Sequence, residues 1–153
     1  MRIVVTSDTH RNSRDFFDII DRHEKNADLF INLGDSEREI ETLKLTRPEI
    51  NIKCVCGNCD FYSDYPIEQV IKFDGKKVFF THGHKYHVKH GYEEIIRRAE
   101  IEEADICLFG HTHEPYIERI NNILYMNPGA VLNGSYGIID IEKGQIMAYT
   151  NKI

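Results

Sequence analysis

Buried strands are the elements that the pattern of apolar and polar positions predicts most directly. Short apolar runs, each followed by a polar or glycine-containing turn, have the length of strands covered on both faces. Such runs lie at residues 2–6, 29–33, 51–56 and 105–109. Further strands are predicted at 67–73, 76–81, 116–120, 123–126, 136–142 and 145–150, and Asp74-Gly75 joins the first two of these in a hairpin.

Apolar residues with helical spacing separate several of these strands. They predict a first helix that Asn12 or Ser13 caps, a second helix over 36–45 and a third over 88–103. The order at the front of the chain is therefore β-α-β-α-β, and a half richer in hairpins follows. This order predicts a layered α/β sandwich, in one domain over residues 1–153.

Composition and charge narrow the classes of partner. The 153 residues are 41% hydrophobic and 29% charged, as in water-soluble globular proteins. The net charge of -6 argues against a long nucleic-acid polymer as the ligand, although metal ions in a site would reverse the local sign. No apolar stretch is long enough to cross a bilayer, and residues 1–6 are too short for the core of a signal peptide. We therefore expect a cytoplasmic protein without a membrane partner.

Polar residues typical of metal sites follow five of the predicted strands. Because the carboxyl ends of strands in such sheets border one crevice, these residues are expected to meet there. Within each pair spaced i and i+2, an extended backbone would turn both side chains to the same side. Their nitrogen and oxygen donors suit Mn, Fe, Zn, Co or Ni better than Ca or Cu(I). The candidate ligands are Asp8, His10, Asp35, Asn58, His82, His111 and His113.

The motifs that carry these residues resemble those of the calcineurin-type metallophosphoesterase superfamily. In order they are Asp-x-His, Gly-Asp, Gly-Asn-x-Asp, His-Gly and Gly-His-x-His, and they span residues 8–113. The short chain, the sequence Gly-Asn-Cys-Asp and the segment Asn127-Pro128-Gly129 are similar to the small YfcE-type phosphodiesterase branch. The resemblance implies two facing mixed β-sheets flanked by helices, a four-layer αββα sandwich.

The resemblance also implies how two divalent transition-metal ions would be bound. Mn or Ni is the expected metal, with Fe, Co and Zn as alternatives. Asp35 would bridge the two ions. One ion would take Asp8, His10, Asp35 and His113, and the other would take Asp35, Asn58, His82 and His111.

The implied reaction is hydrolysis of a small phosphodiester by a hydroxide that bridges both ions and attacks phosphorus. Asp35, Asn58, Cys59 and His82 are then the catalytic residues. A phosphomonoesterase and a nuclease are alternatives of the same fold. A non-catalytic scaffold that binds proteins is another, since the superfamily includes such a retromer subunit, but the complete ligand set favours an enzyme. Self-association through helix faces or sheet edges is left open.

Several residues near the motifs have two interpretations. Cys59 stands where many superfamily members have a histidine that is thought to protonate the leaving group; its thiol could donate a proton or only fill space. Arg11 is interpreted as a solvated charge, with contact to a substrate phosphate as the alternative. Asp60 could orient a neighbouring ligand. For His84, a place in the cleft and a structural place are equally compatible with the sequence.

The other histidines and cysteines are given structural roles. His23 lies late in the first predicted helix, where a positive charge is favourable, so it is predicted at the surface. His87 and His90 are also predicted at the surface. Small core residues are the interpretation of the three remaining cysteines, Cys54, Cys56 and Cys107.

Overall fold

Two five-stranded mixed sheets with helices on their outer faces make up the computed structural model, which describes residues 1–153. In chain order the elements are β1 (Arg2–Thr6), α1 (Ser13–His23), β2 (Leu29–Asn32), α2 (Glu37–Thr46), β3 (Ile52–Cys54), β4 (Glu68–Phe73), β5 (Lys76–Thr81), α3 (Glu93–Ile101), β6 (Ile106–Leu108), β7 (Pro115–Ile120), β8 (Ile123–Pro128), β9 (Ser135–Glu142) and β10 (Gln145–Lys152).

The first sheet has the strand order β10-β9-β1-β2-β3 and the second has the order β4-β5-β6-β8-β7. In the first sheet β1, β2 and β3 are parallel, and β9 and β10 add an antiparallel edge. In the second sheet β5, β6 and β8 are parallel, with antiparallel β4 and β7 at the edges. Asp74 and Gly75, both with positive φ, form the predicted turn between β4 and β5.

Three apolar clusters hold the layers together. Side chains from both sheets, among them Val5 and Phe80, form the central cluster, which shows that the sheets face each other. Phe16 and Leu43 belong to a second cluster, between α1, α2 and the first sheet. Ile95 belongs to a third, between α3 and the second sheet. The predicted αββα sandwich is therefore confirmed, and none of its helices could span a membrane.

Two predictions need correction: the start of the third helix and the position of His23 at the surface. The third helix begins at Glu93 rather than at residue 88, because a 3-10 turn over His84–Tyr86 and left-handed backbone at His87 and Gly91 precede it. His23 is buried rather than at the surface: 8% of it is exposed, and its Nε2 lies 3.1 Å from the hydroxyl oxygen of Tyr136. The packing of α1 on β9 encloses this side chain.

Candidate metal centre

All seven candidate ligands lie at one end of the two sheets. Each follows the carboxyl end of a parallel strand by a few residues, and the strands concerned are β1, β2, β3, β5 and β6. Both sheets contribute ligands, so the candidate centre lies where the carboxyl ends of their parallel strands come together. The structure thus brings Asp8, His10, Asp35, Asn58, His82, His111 and His113 together.

One group of donors surrounds Nε2 of His10. This nitrogen lies 3.2 Å from Nε2 of His113, 3.5 Å from Oδ1 of Asp8 and 3.5 Å from Oδ2 of Asp35. Nε2 of His113 is 3.1 Å from the same Asp8 oxygen. The four side chains are those that the family resemblance assigns to one ion.

A second group surrounds Nε2 of His82. This nitrogen lies 3.0 Å from Oδ1 of Asn58, 3.1 Å from Nδ1 of His111 and 3.4 Å from Oδ2 of Asp35. The Oδ2 atom of Asp35 therefore neighbours both groups. Oδ1 of Asp8 is as close to Nε2 of His10 but lies 3.9 Å from Nε2 of His82, so Asp35 is the better placed of the two carboxylates to be shared.

The spacing of these donors fits divalent ions. Bonds of about 2.0–2.2 Å from one ion place its ligand atoms roughly 3–3.5 Å apart, depending on the geometry. The distances of 3.0 to 3.5 Å around His10 and His82 lie in that range. Two imidazole nitrogens also face each other in each group, an arrangement that a shared cation stabilises. The carboxylates of Asp8 and Asp35 supply compensating negative charge.

Hydrogen bonds orient three of the candidate ligands, Asp35, Asp8 and His82, so that one donor atom of each points to the centre. Asp35 accepts the backbone N–H of Cys59 at its Oδ1 (2.8 Å), which leaves Oδ2 toward the centre. Asp8 accepts the backbone N–H of His111 at its Oδ2 (3.0 Å), which leaves Oδ1. Nδ1 of His82 donates to the carbonyl oxygen of Leu33 (2.7 Å), so in the neutral imidazole Nε2 carries the lone pair.

Asp60 acts beside the ligands rather than as one of them. Its carboxylate accepts four backbone N–H groups, from Asp35 (2.7 Å), Ser36 (3.1 Å), Glu37 (3.1 Å) and Gly57 (2.7 Å). It also replaces the missing side-chain cap of α2, since Ser36 makes no capping hydrogen bond. The arrangement supports the interpretation of Asp60 as an orienting residue.

The ligand loops contain strained backbone. Five of the seven candidate ligands have φ between 44° and 68°, in the left-handed region that non-glycine residues rarely adopt. The prediction that an extended backbone aligns the i and i+2 pairs is therefore wrong, although both members of each pair reach the centre. Left-handed turns aim them instead. The five residues are Asp8, His10, Asp35, His111 and His113.

Two supporting asparagines were not singled out as site residues from the sequence. Oδ1 of Asn32 accepts the N–H of Gly34 (3.0 Å), and Oδ1 of Asn127 accepts the N–H of Gly129 (2.9 Å). Asn127 also donates to the carbonyl oxygen of Gly110 (2.9 Å), at the start of the histidine loop. The usable signal is an asparagine at the end of a buried strand with glycine two residues later.

The pKa values of the buried groups follow from their contacts. Burial raises the pKa of Asp35, but the hydrogen bond and charge of His82 outweigh it and hold the pKa well below its usual range. Burial lowers the pKa of His82, but Asp35 and Asp8 outweigh it and the net pKa is raised. Burial, then the charge of His82, lowers the pKa of His111 to about 4. A neutral imidazole is the form that binds a metal.

One cysteine lies beside the candidate ligands. Cys59 is exposed, and its sulfur lies within 4.8 Å of ligand atoms of His10 and Asp35. Burial, then the charge of Asp35, raises the pKa of its thiol.

His84 packs against the rings of the candidate ligands. The distance between its ring centroid and that of His82 is 5.4 Å, and its Nδ1 is buried without a hydrogen bond. The surface places of His87 and His90 and the buried places of Cys54, Cys56 and Cys107 are confirmed.

A four-layer αββα fold with histidine, aspartate and asparagine donors gathered at its strand ends defines a candidate two-metal protein. The model of the calcineurin-like phosphoesterase superfamily domain matches residues 1–144. The chain belongs to that superfamily.

Proteins of known name and structure are similar over most of the chain. Probable metallophosphoesterase YsnB of Bacillus subtilis is 34% identical, over 93% of this chain and 85% of that protein. Phosphodiesterase MJ0936 of Methanocaldococcus jannaschii is 30% identical, over 94% and 95%. The structure of a predicted phosphoesterase from Streptococcus pneumoniae superposes with a TM-score of 0.80 at 28% identity, covering 98% and 97%.

The same fold occurs in Vps29 of Entamoeba histolytica. Its single-mutant structure has a TM-score of 0.78 and covers 100% of this chain and 99% of that one. At 18% sequence identity, this likeness concerns the fold alone.

Proposed function

We propose that this protein is a metal-dependent phosphodiesterase that uses two divalent ions. The observation that carries the proposal is the position of Asp35 Oδ2, 3.5 Å from Nε2 of His10 and 3.4 Å from Nε2 of His82. It links two groups of donors, each with the spacing of a metal site. The name of the similar protein MJ0936 supports the diester as the substrate class.

Two sets of side chains, which share Asp35, would hold the two ions. Asp8, His10, Asp35 and His113 would hold one ion, and Asp35, Asn58, His82 and His111 the other. The bound ions would supply positive charge for the phosphoryl oxygens and lower the pKa of water. Mn and Ni are the proposed ions, with Fe, Co and Zn as alternatives, because nitrogen and oxygen donors suit all five.

Cys59 is the proposed source of the proton for the leaving group. Its thiol stands exposed in the cleft beside His10 and Asp35, and an ordinary thiol, with a pKa of about 8.5, carries its proton at neutral pH. A thiol protonates an alkoxide less readily than an imidazolium does. We therefore propose diesters with good leaving groups as the preferred substrates.

A cleft of about 420 Å³ borders the candidate centre, with His10 and Asp35 in its wall. This volume supports a small phosphodiester as the substrate. The net charge of -6 supports the same choice over a long nucleic acid.

A hydrolysis screen tests the proposal. Metal-stripped protein receives Mn²⁺, Ni²⁺, Zn²⁺ or Mg²⁺ and is offered a phosphodiester and its matching monoester. We expect the diester to be cleaved faster, and His111→Ala to lose this activity while the exposed His90→Ala retains it. If neither ester were hydrolysed with any of the metals, the proposal of an enzyme would be overturned and the alternative of a non-catalytic scaffold would be favoured. A faster monoester reaction would favour a phosphomonoesterase.

A further inference from the structure

The lining of the cleft beside the candidate centre also includes residues that are not candidate ligands, and these residues are here called the wall. The wall includes Arg11, Arg38 and Phe61, and the candidate ligands in the same lining are His10 and Asp35. A substrate bound at the ions would therefore share its cleft with these three side chains. Their chemistry bears on what the rest of the substrate is.

The two arginines are free to contact a ligand. Both are exposed, and neither makes a salt bridge within the chain. The acidic side chains of the same wall are mostly engaged: Asp60 accepts four backbone N–H groups, and buried Glu39 accepts the hydroxyl of Ser13 (2.7 Å). None of the acidic side chains of the wall pairs with Arg11 or Arg38, so both guanidinium groups keep their N–H donors for an anion of the ligand.

Phe61 presents an aromatic ring to this cleft. Its side chain is 82% exposed, although the preceding residue, Asp60, is anchored by its four hydrogen bonds. The backbone is therefore held while the ring stays uncovered. An aromatic ring at such a place can stack on a planar group of a ligand, and an arginine can cover the other face of that group.

The neighbouring Tyr62 provides a contrast. It is even more exposed, at 92%, but it does not line the cleft. Leu45 and Ile101, exposed by 82% and 70%, are also absent from its walls. Exposure of large apolar side chains is thus common on this surface, and Phe61 is distinguished by its place beside the metal ligands and the two arginines.

We propose that this wall selects a nucleotide-like phosphodiester, with a planar ring stacked on Phe61 and a second anionic group held by Arg11 and Arg38. This inference rests on the proposed function and specifies its substrate class.

Two diesters with the same leaving group test the stacking. Thymidine 5′-(4-nitrophenyl phosphate) and ethyl 4-nitrophenyl phosphate differ only in the group that remains on phosphorus. We expect kcat/KM to favour the thymidine ester by about tenfold or more. Phe61→Ala should remove most of this preference, and Tyr62→Ala should leave it unchanged. Equal rates for the two esters, or equal effects of the two variants, would overturn the stacking.

Binding keeps this inference separable from the proposed function. Calorimetry on metal-loaded protein compares thymidine 5′-phosphate with ethyl phosphate. In Phe61→Ala, thymidine 5′-phosphate should bind roughly tenfold more weakly, whereas the affinity for ethyl phosphate should not change. This result would support the wall as a ring-binding surface even if no diester were hydrolysed. Hydrolysis of both esters without any role for Phe61 would retain the proposed function and overturn the inference.

The arginines are tested with an added phosphate. Thymidine 3′,5′-bisphosphate should bind the metal-loaded protein several-fold more tightly than thymidine 5′-phosphate. Arg11→Gln and Arg38→Gln should each reduce that advantage, while Arg14→Gln, an exposed arginine outside the cleft, should not. No advantage for the bisphosphate in the unmodified protein would overturn the anionic subsite.

Discussion

The carboxylate of Asp60 accepts the backbone N–H of Asp35 at 2.7 Å, so a residue that binds no metal holds the proposed bridging ligand in place. The same carboxylate oxygen accepts the N–H of Gly57. The loops after β2 and β3 are thereby tied together. Their candidate ligands, Asp35 and Asn58, keep a fixed separation as a result.

Replacing Asp60 should weaken metal binding without removing a ligand. In Asp60→Asn, the amide has a single acceptor oxygen, so two of the four backbone N–H groups lose their partner. We predict that metal affinity, measured by calorimetry, falls about 10- to 100-fold, the usual effect of losing such a supporting contact. Asp64→Asn, in an exposed position of the same loop, is the control. Unchanged affinity in Asp60→Asn would contradict the orienting role.

Cys59→His should extend hydrolysis to diesters with poorer leaving groups. An imidazolium, with a pKa closer to neutral than that of a thiol, is the better proton donor. The dependence of kcat/KM on leaving-group pKa should therefore become shallower in the variant. A series of aryl and alkyl esters measures this slope, and Cys59→Ser serves as the control for side-chain size. Identical slopes in all three proteins would mean that this position supplies no proton.

The stability of the fold should depend on His23 below neutral pH. Burial lowers its pKa from the ordinary value of 6.5, so the unfolded chain takes up a proton at a higher pH than the folded protein does. The stabilisation is therefore complete above about pH 6.5 and is lost progressively as the pH falls below it.

Urea unfolding of metal-free protein between about pH 5 and pH 8 measures this effect. His23→Gln removes the titration and keeps a polar partner for the hydroxyl of Tyr136. We expect the difference between the two proteins to vary with pH by at most about 1.4 kcal/mol per unit, the limit for one proton. A constant difference over the range would show that His23 titrates alike in the folded and unfolded states.

Asp35→Asn should abolish the two-ion centre. An amide removes the negative charge and one of the oxygen acceptors that two cations would share. After gel filtration, elemental analysis should find fewer than two metal ions per chain in the variant and two in the unmodified protein. Two ions per chain in Asp35→Asn would refute the bridging role.

Much of the fold could be predicted because the buried strands are short, apolar and followed by recognisable turns. The hairpin around Asp74-Gly75 and the first helix, capped by Asn12, lie where the sequence indicates. The start of α3 could not be predicted, because the left-handed residues that delay it depend on the fold of the preceding loop. The burial of His23 likewise arises from a partner, Tyr136, that is 113 positions away in the chain.

The candidate site could be predicted in its residue types but not in its geometry. Asp8 and His10 reach the centre from left-handed backbone that neither residue prefers. Contacts from other loops, such as the hydrogen bond from the N–H of His111 to Asp8, hold these conformations. Such contacts join residues far apart in sequence, and spacing along the chain does not reveal them.

Anomalous diffraction from crystals grown with Mn²⁺ tests the two-ion centre most directly. We predict two manganese peaks, one among Asp8, His10 and His113 and the other among Asn58, His82 and His111. Both should lie within bonding distance, about 2.0–2.3 Å, of Asp35 Oδ2. A single peak, or two peaks that do not share Asp35, would contradict the bridged centre on which the proposed function depends.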